Sequence, residues 1–93
     1  MRTIERSSVF RRDYKREAKG SSLSTLDDEL MPVLTALASD KALETRCRDH
    51  ALSGDWSGYR ECHVKPDLLL IYRKPDEQTL QLVRLASHSE LFG

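Results

Sequence analysis

Tyr59-Arg60-Glu61-Cys62-His63-Val64, Leu68-Leu69-Leu70-Ile71-Tyr72-Arg73 and Thr79-Leu80-Gln81-Leu82-Val83-Arg84-Leu85-Ala86 are three stretches of strand length, separated by Pro66-Asp67 and by Lys74-Pro75-Asp76-Glu77. The first alternates as a half-buried strand does, and the second is a continuous apolar run with both faces covered. The separators are rich in Pro and Asp, which favour reversal. Connections that short join antiparallel neighbours, so the stretch predicts three strands in hairpin sequence. Just upstream, Gly54-Asp55-Trp56-Ser57-Gly58 is turn chemistry.

Toward the N-terminus the period changes from two to that of a helix. Arg2 to Arg6 predicts a short first strand. Ser7 or Ser8 then caps a helix that runs to about Lys19 and stops at Gly20. Val9, Phe10, Tyr14 and Ala18 form its apolar stripe, and Arg11, Arg12, Lys15, Arg16 and Lys19 its basic face. Ser21-Ser22-Leu23-Ser24 reads as a loop, and Thr25 with Asp28 resembles a capping box. Leu26, Leu30, Val33, Leu34 and Leu37 define a second amphipathic helix to about Ala38. Pro32 inside that pattern predicts a kink or a late start. Two helices followed by hairpin strands make an α+β fold: one domain over residues 1–93, with two N-terminal helices packed on one face of a small, mainly antiparallel twisted sheet.

Composition narrows the function. The formal net charge is zero, which argues against a free-standing nucleic-acid binder that holds many phosphates by charge. The balance is uneven, because residues 1–20 carry seven Lys/Arg against three Asp/Glu. That basic helix face reads either as a solvated surface or as a phosphate-tracking patch that supplements another molecule's grip on RNA. The longest apolar run, Leu68 to Tyr72, is far shorter than the ~20 residues of a membrane span. Met1 to Arg6 lacks the apolar core of a secretion signal, so a cytoplasmic location is expected. The two cysteines, Cys47 and Cys62, form no metal-ligand spacing and read as reduced packing residues.

The three histidines, His50, His63 and His88, all fall in the second half of the chain. Hairpin strands bring alternate ends together, so the end of the first strand, the start of the second and the end of the third share one rim. That geometry gathers His63, Asp67 and His88, while the position of His50 does not follow from it. Strand alternation puts Arg84 on the face of Ala86 and His88. Imidazoles with a carboxylate can move the protons of phosphodiester transfer in RNA, and a cation such as Arg84 or Arg60 would balance the phosphoryl charge. From spacing alone three readings stay open: acid/base chemistry, a zinc site from two His and Asp67, and unrelated surface histidines. Trp56 reads as a hydrophobic lid over a turn and Tyr72 as core. Asp49 and Glu61 read as surface partners of Arg48 and Arg60.

The ordered run Arg48-Asp49-His50-Ala51-Leu52-Ser53-Gly54-Asp55-Trp56-Ser57-Gly58-Tyr59-Arg60-Glu61-Cys62-His63-Val64, then Pro66-Asp67, Leu69-Leu70-Ile71-Tyr72 and Ser87-His88-Ser89-Glu90-Leu91-Phe92, resembles the YafQ branch of RelE-type bacterial toxins. The likeness is dense in the C-terminal half. In the helices it survives only as pattern, as in Arg12-Asp13-Tyr14-Lys15. The resemblance implies an endoribonuclease that cuts messenger RNA in the ribosomal A site and is silenced by a cognate antitoxin. Carried over to matching positions, it implicates His50, His63, Asp67, His88 and Phe92, with Arg84 facing phosphate. With no cysteine or carboxylate cluster suited to a catalytic metal, the residue types predict attack by the RNA 2′-hydroxyl without metal or cofactor, His88 as general acid, Asp67 or His63 as general base, and Phe92 holding a base. Arg60 and Lys15 are expected to add substrate contacts. Two departures bear on activity: Leu68 stands where relatives often have an aromatic residue, and Leu85-Ala86 replaces a usual Thr-Gly. The competing expectations are a gyrase-directed inhibitor on the same scaffold and a degenerate toxin that binds its antitoxin without cutting.

Overall fold

A computed structural model describes residues 1–20 and 23–93. Strand β1 (Thr3–Arg6) leads into helices α1 (Ser8–Gly20) and α2 (Leu23–Ala38). A single turn of 3₁₀ helix at Thr45–Cys47 precedes the two-residue strand β2 (His50–Ala51), and a second at Gly54–Trp56 precedes β3 (Arg60–Lys65). Then follow β4 (Leu68–Arg73), β5 (Thr79–Ala86) and a short helix α3 (His88–Phe92). The five strands form one sheet in the order β1-β5-β4-β3-β2. β1 and β5 run parallel, and the other pairs among the described residues are antiparallel.

The expected α+β architecture is present, and its local causes are visible. Ser7 caps α1, its hydroxyl accepting the Phe10 N–H at 2.9 Å. The apolar stripe of α1 differs from expectation at two places. Val9 is exposed, and Asp13, a carboxylate, is only 2% exposed and lies where an apolar residue would be expected. Helix α2 starts before the Thr25 cap, so Leu23 and Ser24 are helical rather than loop; the Ser21-Ser22 part of that loop lies outside the described residues. The helix also runs through Pro32, which rules out the late start. Pro32 is exposed, and the carbonyl that loses its helical donor lies on the wet side, where water can satisfy it.

The core lies between the helices and one face of the sheet. Phe10, Leu26, Leu30, Leu34 and Leu37 pack on Cys62, Leu70, Tyr72, Leu80, Leu82 and Leu85. Truncating one of these Leu side chains to Ala should cost about 2–5 kcal/mol. Both cysteines are free and buried in this core, as expected. Burial pushes the Cys62 thiol far above its ordinary range, which keeps it protonated. Leu68 and Leu85, two of the departures noted above, are core residues of this same layer.

A bulge at Val83 changes which β5 residues face the core. Tyr72 pairs with Leu82 but Ile71 pairs with Arg84, so Val83 is the extra residue. Leu80, Leu82 and Leu85 thereby share the core face, and Arg84 and Ala86 turn to the other. The outer edge of β5 is satisfied in succession. β1 pairs as far as Leu82, the Ser7 hydroxyl donates to the Val83 carbonyl at 2.8 Å, and the Asp13 carboxylate accepts the Leu85 N–H at 3.0 Å. The Arg16 guanidinium then donates to the Leu85 carbonyl at 3.2 Å. Helix α1 thus continues by side chains the pairing that β1 begins.

Candidate active site

The face of the sheet turned away from the helices carries the candidate chemistry. Strand register lines up His50, Glu61, Ile71 and Arg84 in one row across β2, β3, β4 and β5. The next row is His63, Leu69 and Ala86. Ile71, Leu69 and Ala86 are at most 1% exposed, so the polar residues stand on an apolar floor. Strands lie about 4.8 Å apart, so His63 and the end of β5 flank a gap of roughly 10 Å.

Asp67 lies in the two-residue turn between β3 and β4. The end of β5 reaches the same rim, and Ser87 then starts α3. Its hydroxyl accepts the Glu90 N–H at 3.3 Å while the Glu90 carboxylate accepts the Ser87 N–H at 3.0 Å, a reciprocal cap. Those Ser87 bonds, chiefly the backbone one, hold the Glu90 carboxyl below its usual range, and Arg16 adds to the effect from 3.5 Å. His88 is therefore the first residue of a capped helix, not a loop residue. Its ring lies 5.1 Å from that of Phe92, one helical turn on. Both are exposed.

The four proton-carrying candidates thus occupy one face and rim: His50 and His63 in the strands, Asp67 in the turn and His88 at the cap. His50 comes from the edge strand β2, too short for the sequence to announce. Its Nδ1 is 2.6 Å from the Arg48 carbonyl. His63 Nδ1 is 3.4 Å from the Pro66 carbonyl, and its Nε2 is 3.7 Å from a Glu61 oxygen.

Glu61 is the residue that sequence reading missed. It is 4% exposed on the floor of this face, two positions from His63 on the same strand and opposite His50 in register. The expected Glu61–Arg60 pair does not form, because successive strand residues point to opposite faces. Strand alternation alone was the signal that could have found it.

The cations divide between the faces. Arg84 stands in the site row and donates from Nε and Nη2 to Asp13 at 2.8 and 3.3 Å. Burial works against ionisation of Asp13, yet hydrogen bonds from Arg84 and the Leu85 N–H, with the nearby Arg84 and Arg16 charges, bring its pKa below the ordinary value. Arg60 pairs with Tyr72 in register and so lies on the helix-bearing face, where it donates to Asp49 at 3.2 Å rather than joining the histidines. Asp49 correspondingly pairs with Arg60 and Tyr72, not with Arg48. Lys15 is exposed on α1, lining with Tyr14 and Met31 the groove between α1 and α2, away from the rim. Trp56 is half-buried and meets the Tyr59 ring edge-on at 5.5 Å, a local lid outside the main core.

Among the described residues, no group of three or more His, Cys, Asp or Glu side chains is gathered as a metal-binding set. No helix among them is long and apolar enough to cross a membrane.

A small α+β domain with helices on one face and a histidine-bearing rim on the other is the RelE-like architecture of bacterial toxins. Residues 2–93 match the family described as the bacterial toxin of type II toxin-antitoxin system, YafQ. The chain belongs to the YafQ family of type II toxins. It is 33% identical over 92 residues to the mRNA interferase toxin YafQ of Escherichia coli strain K12, covering 97% of this chain and 99% of that one. A metal-bound toxin from Helicobacter pylori is 46% identical, with a TM-score of 0.88 over 99% of this chain and all of that one. The E. coli DinJ-YafQ complex contains a chain 34% identical, with a TM-score of 0.85 and full coverage of both.

Proposed function

We propose that this protein is a ribosome-dependent endoribonuclease that cuts messenger RNA by metal-independent acid/base transfer and is silenced by a cognate antitoxin. One observation supports the reading: register sets His63 and the β5 exit on either side of Leu69, so that His63, the turn that holds Asp67 and the α3 cap at His88 share one rim of the face that carries Arg84. The names of the relatives, an mRNA interferase and a toxin in complex with DinJ, point the same way.

In this mechanism the nucleophile is the RNA's own 2′-hydroxyl, so the protein moves protons and stabilises charge. A base drawn from His63, Asp67 and His50 accepts the 2′-hydroxyl proton as its oxygen bonds to phosphorus. His88 donates a proton to the departing 5′-oxygen, and the bond to that oxygen breaks. Arg84 spends Nε and Nη2 on Asp13 and offers Nη1 to a phosphoryl oxygen. Phe92 stacks on a base of the substrate. A chain of zero net charge has little electrostatic grip on free RNA, so the ribosome supplies the positioning, in the cytoplasm where messages are translated.

The test is cleavage of a programmed messenger on purified ribosomes. Cutting should require the ribosome, stop when the target nucleotide is 2′-deoxy, and leave a 2′,3′-cyclic or 3′-phosphate. It should also survive EDTA once magnesium-dependent ribosome integrity is controlled. A 3′-hydroxyl product, or tolerance of the 2′-deoxy nucleotide, sinks the mechanism. Growth arrest with intact message favours the non-catalytic reading.

A further inference from the structure

His50 stands on a two-residue edge strand, which by itself does little to fix a side chain. The segment before it is held from the opposite side of the sheet. The Asp49 carboxylate accepts the Tyr72 hydroxyl at 2.5 Å and the Arg60 Nε at 3.2 Å. Tyr72 is 1% exposed in the apolar core, so this clamp is anchored in the core itself. Between Asp49 and the buried Cys47, Arg48 takes φ 49°, ψ 45°, the left-handed conformation that ends a helical turn, and its N–H donates to the Thr45 carbonyl at 3.1 Å.

The consequence appears on the other face. The Arg48 carbonyl lies 2.6 Å from His50 Nδ1. A carbonyl can only accept, so the proton of the neutral ring resides on Nδ1 and the lone pair on Nε2. Nε2 is the atom left to accept a proton, on the strand position opposite Glu61.

We propose that Asp49 is a positioning residue for the reaction: its clamp on Tyr72 and Arg60 holds the left-handed turn at Arg48, whose carbonyl fixes His50 in the tautomer that can act as a base through Nε2. The proposal rests on the reading of His50 as one of the proton-accepting groups. It links a core tyrosine on the helix-bearing face to an imidazole on the open one, through adjacent residues that point to opposite sides of the sheet.

Long-range ¹H–¹⁵N correlation spectra of the imidazoles in the full-length protein read the tautomer directly, without reference to activity. In the unmodified chain His50 should show a protonated Nδ1 and a pyridine-like Nε2. Asp49→Ala should move this toward a mixture of the two tautomers and lower kcat on ribosome-bound message by ten- to a hundredfold with little change in KM. Asp49→Asn, which keeps an acceptor for the Tyr72 hydroxyl, should recover most of both. Tyr72→Phe preserves the packed ring and should reproduce the Asp49→Ala shift in weaker form, even if Asp49→Ala itself fails to fold. A His50 ring that stays Nδ1-protonated in folded Tyr72→Phe and Asp49→Ala proteins overturns the clamp. If the tautomer follows the clamp but the unmodified protein cuts no RNA, the clamp stands and the ribonuclease reading falls.

Discussion

Asp13 and Arg84, 71 positions apart in sequence, form an ion pair in which the Arg84 Nε lies 2.8 Å from a carboxylate that is only 2% exposed. The same carboxylate accepts the Leu85 N–H. One side chain of α1 therefore holds both the cation of the candidate site and the backbone beside it. Asp13→Ala should leave the guanidinium unpaired and the N–H without its partner, costing about 3 kcal/mol. For a domain of this size that lowers Tm by roughly 12–24 °C. Asp13→Asn, which keeps an oxygen for one donor, should cost less. Thermal unfolding followed by circular dichroism checks both, and equal, small shifts would mean the pair carries little.

Acid should expose the same pair. The folded pKa of Asp13 lies below its ordinary value of 3.8, so below neutrality the unfolded chain takes up that proton first. Its stabilising effect is fully present above about pH 4 and is lost as pH falls through the depressed folded value. Glu90, also depressed by its cap, adds in the same direction. Stability measured from pH 7 down to pH 3 should fall steeply at the acid end, and Asp13→Asn should flatten that fall.

His88 is exposed at the first position of α3, and Ser87 and Glu90 hold the helix without it. His88→Ala should therefore leave Tm within about 1 °C while reducing cleavage by ~10²–10⁴-fold. Cleavage that falls only together with Tm would assign His88 a structural role.

Glu61 should behave in the opposite sense. A carboxylate 4% exposed, with a His63 contact of 3.7 Å, is an expensive group to keep. Glu61→Leu should raise stability by about 1 kcal/mol or more and at the same time depress cleavage, the pattern of a residue retained for function. A variant both less stable and fully active would contradict this.

Phe92, 40% exposed, leans on His88 rather than on the core. Phe92→Ala should leave unfolding unchanged and weaken substrate binding by about 1–3 kcal/mol, the worth of one base stacked on an aromatic ring. Titration of ribosome-bound message with the variant gives the number, and Phe92→Trp should restore it.

The hairpin strands and both main helices were legible because their apolar residues recur at clear periods, as in Leu26, Leu30, Leu34 and Leu37. What escaped was short or tertiary in origin. β2 has two residues, too few to alternate, and exists only as a tertiary pairing with β3. The polarity of Asp13 disguised a buried position, since Arg84 and Leu85, distant in sequence, join the neighbouring Arg16 in making it tolerable there. The rim of His63, Asp67 and His88 followed from hairpin geometry. Arg60, a candidate cation by type, faces the helices instead, because strand alternation sets it with Tyr72 rather than with Glu61 and His63.

The parallel pairing of β1 with β5 joins Thr3 to Thr79 and Glu5 to Gln81, a separation of 76 residues. A pairing so distant in the chain cannot form early in synthesis, and it is the slowest kind of contact to close. Until β5 is made, β1 is an unpaired edge, and neither Arg84 nor the cap that presents His88 exists. The sheet is thus assembled from both ends of the sequence: its first strand waits for its last, and the face that carries His50, His63 and Arg84 is completed only when the two meet.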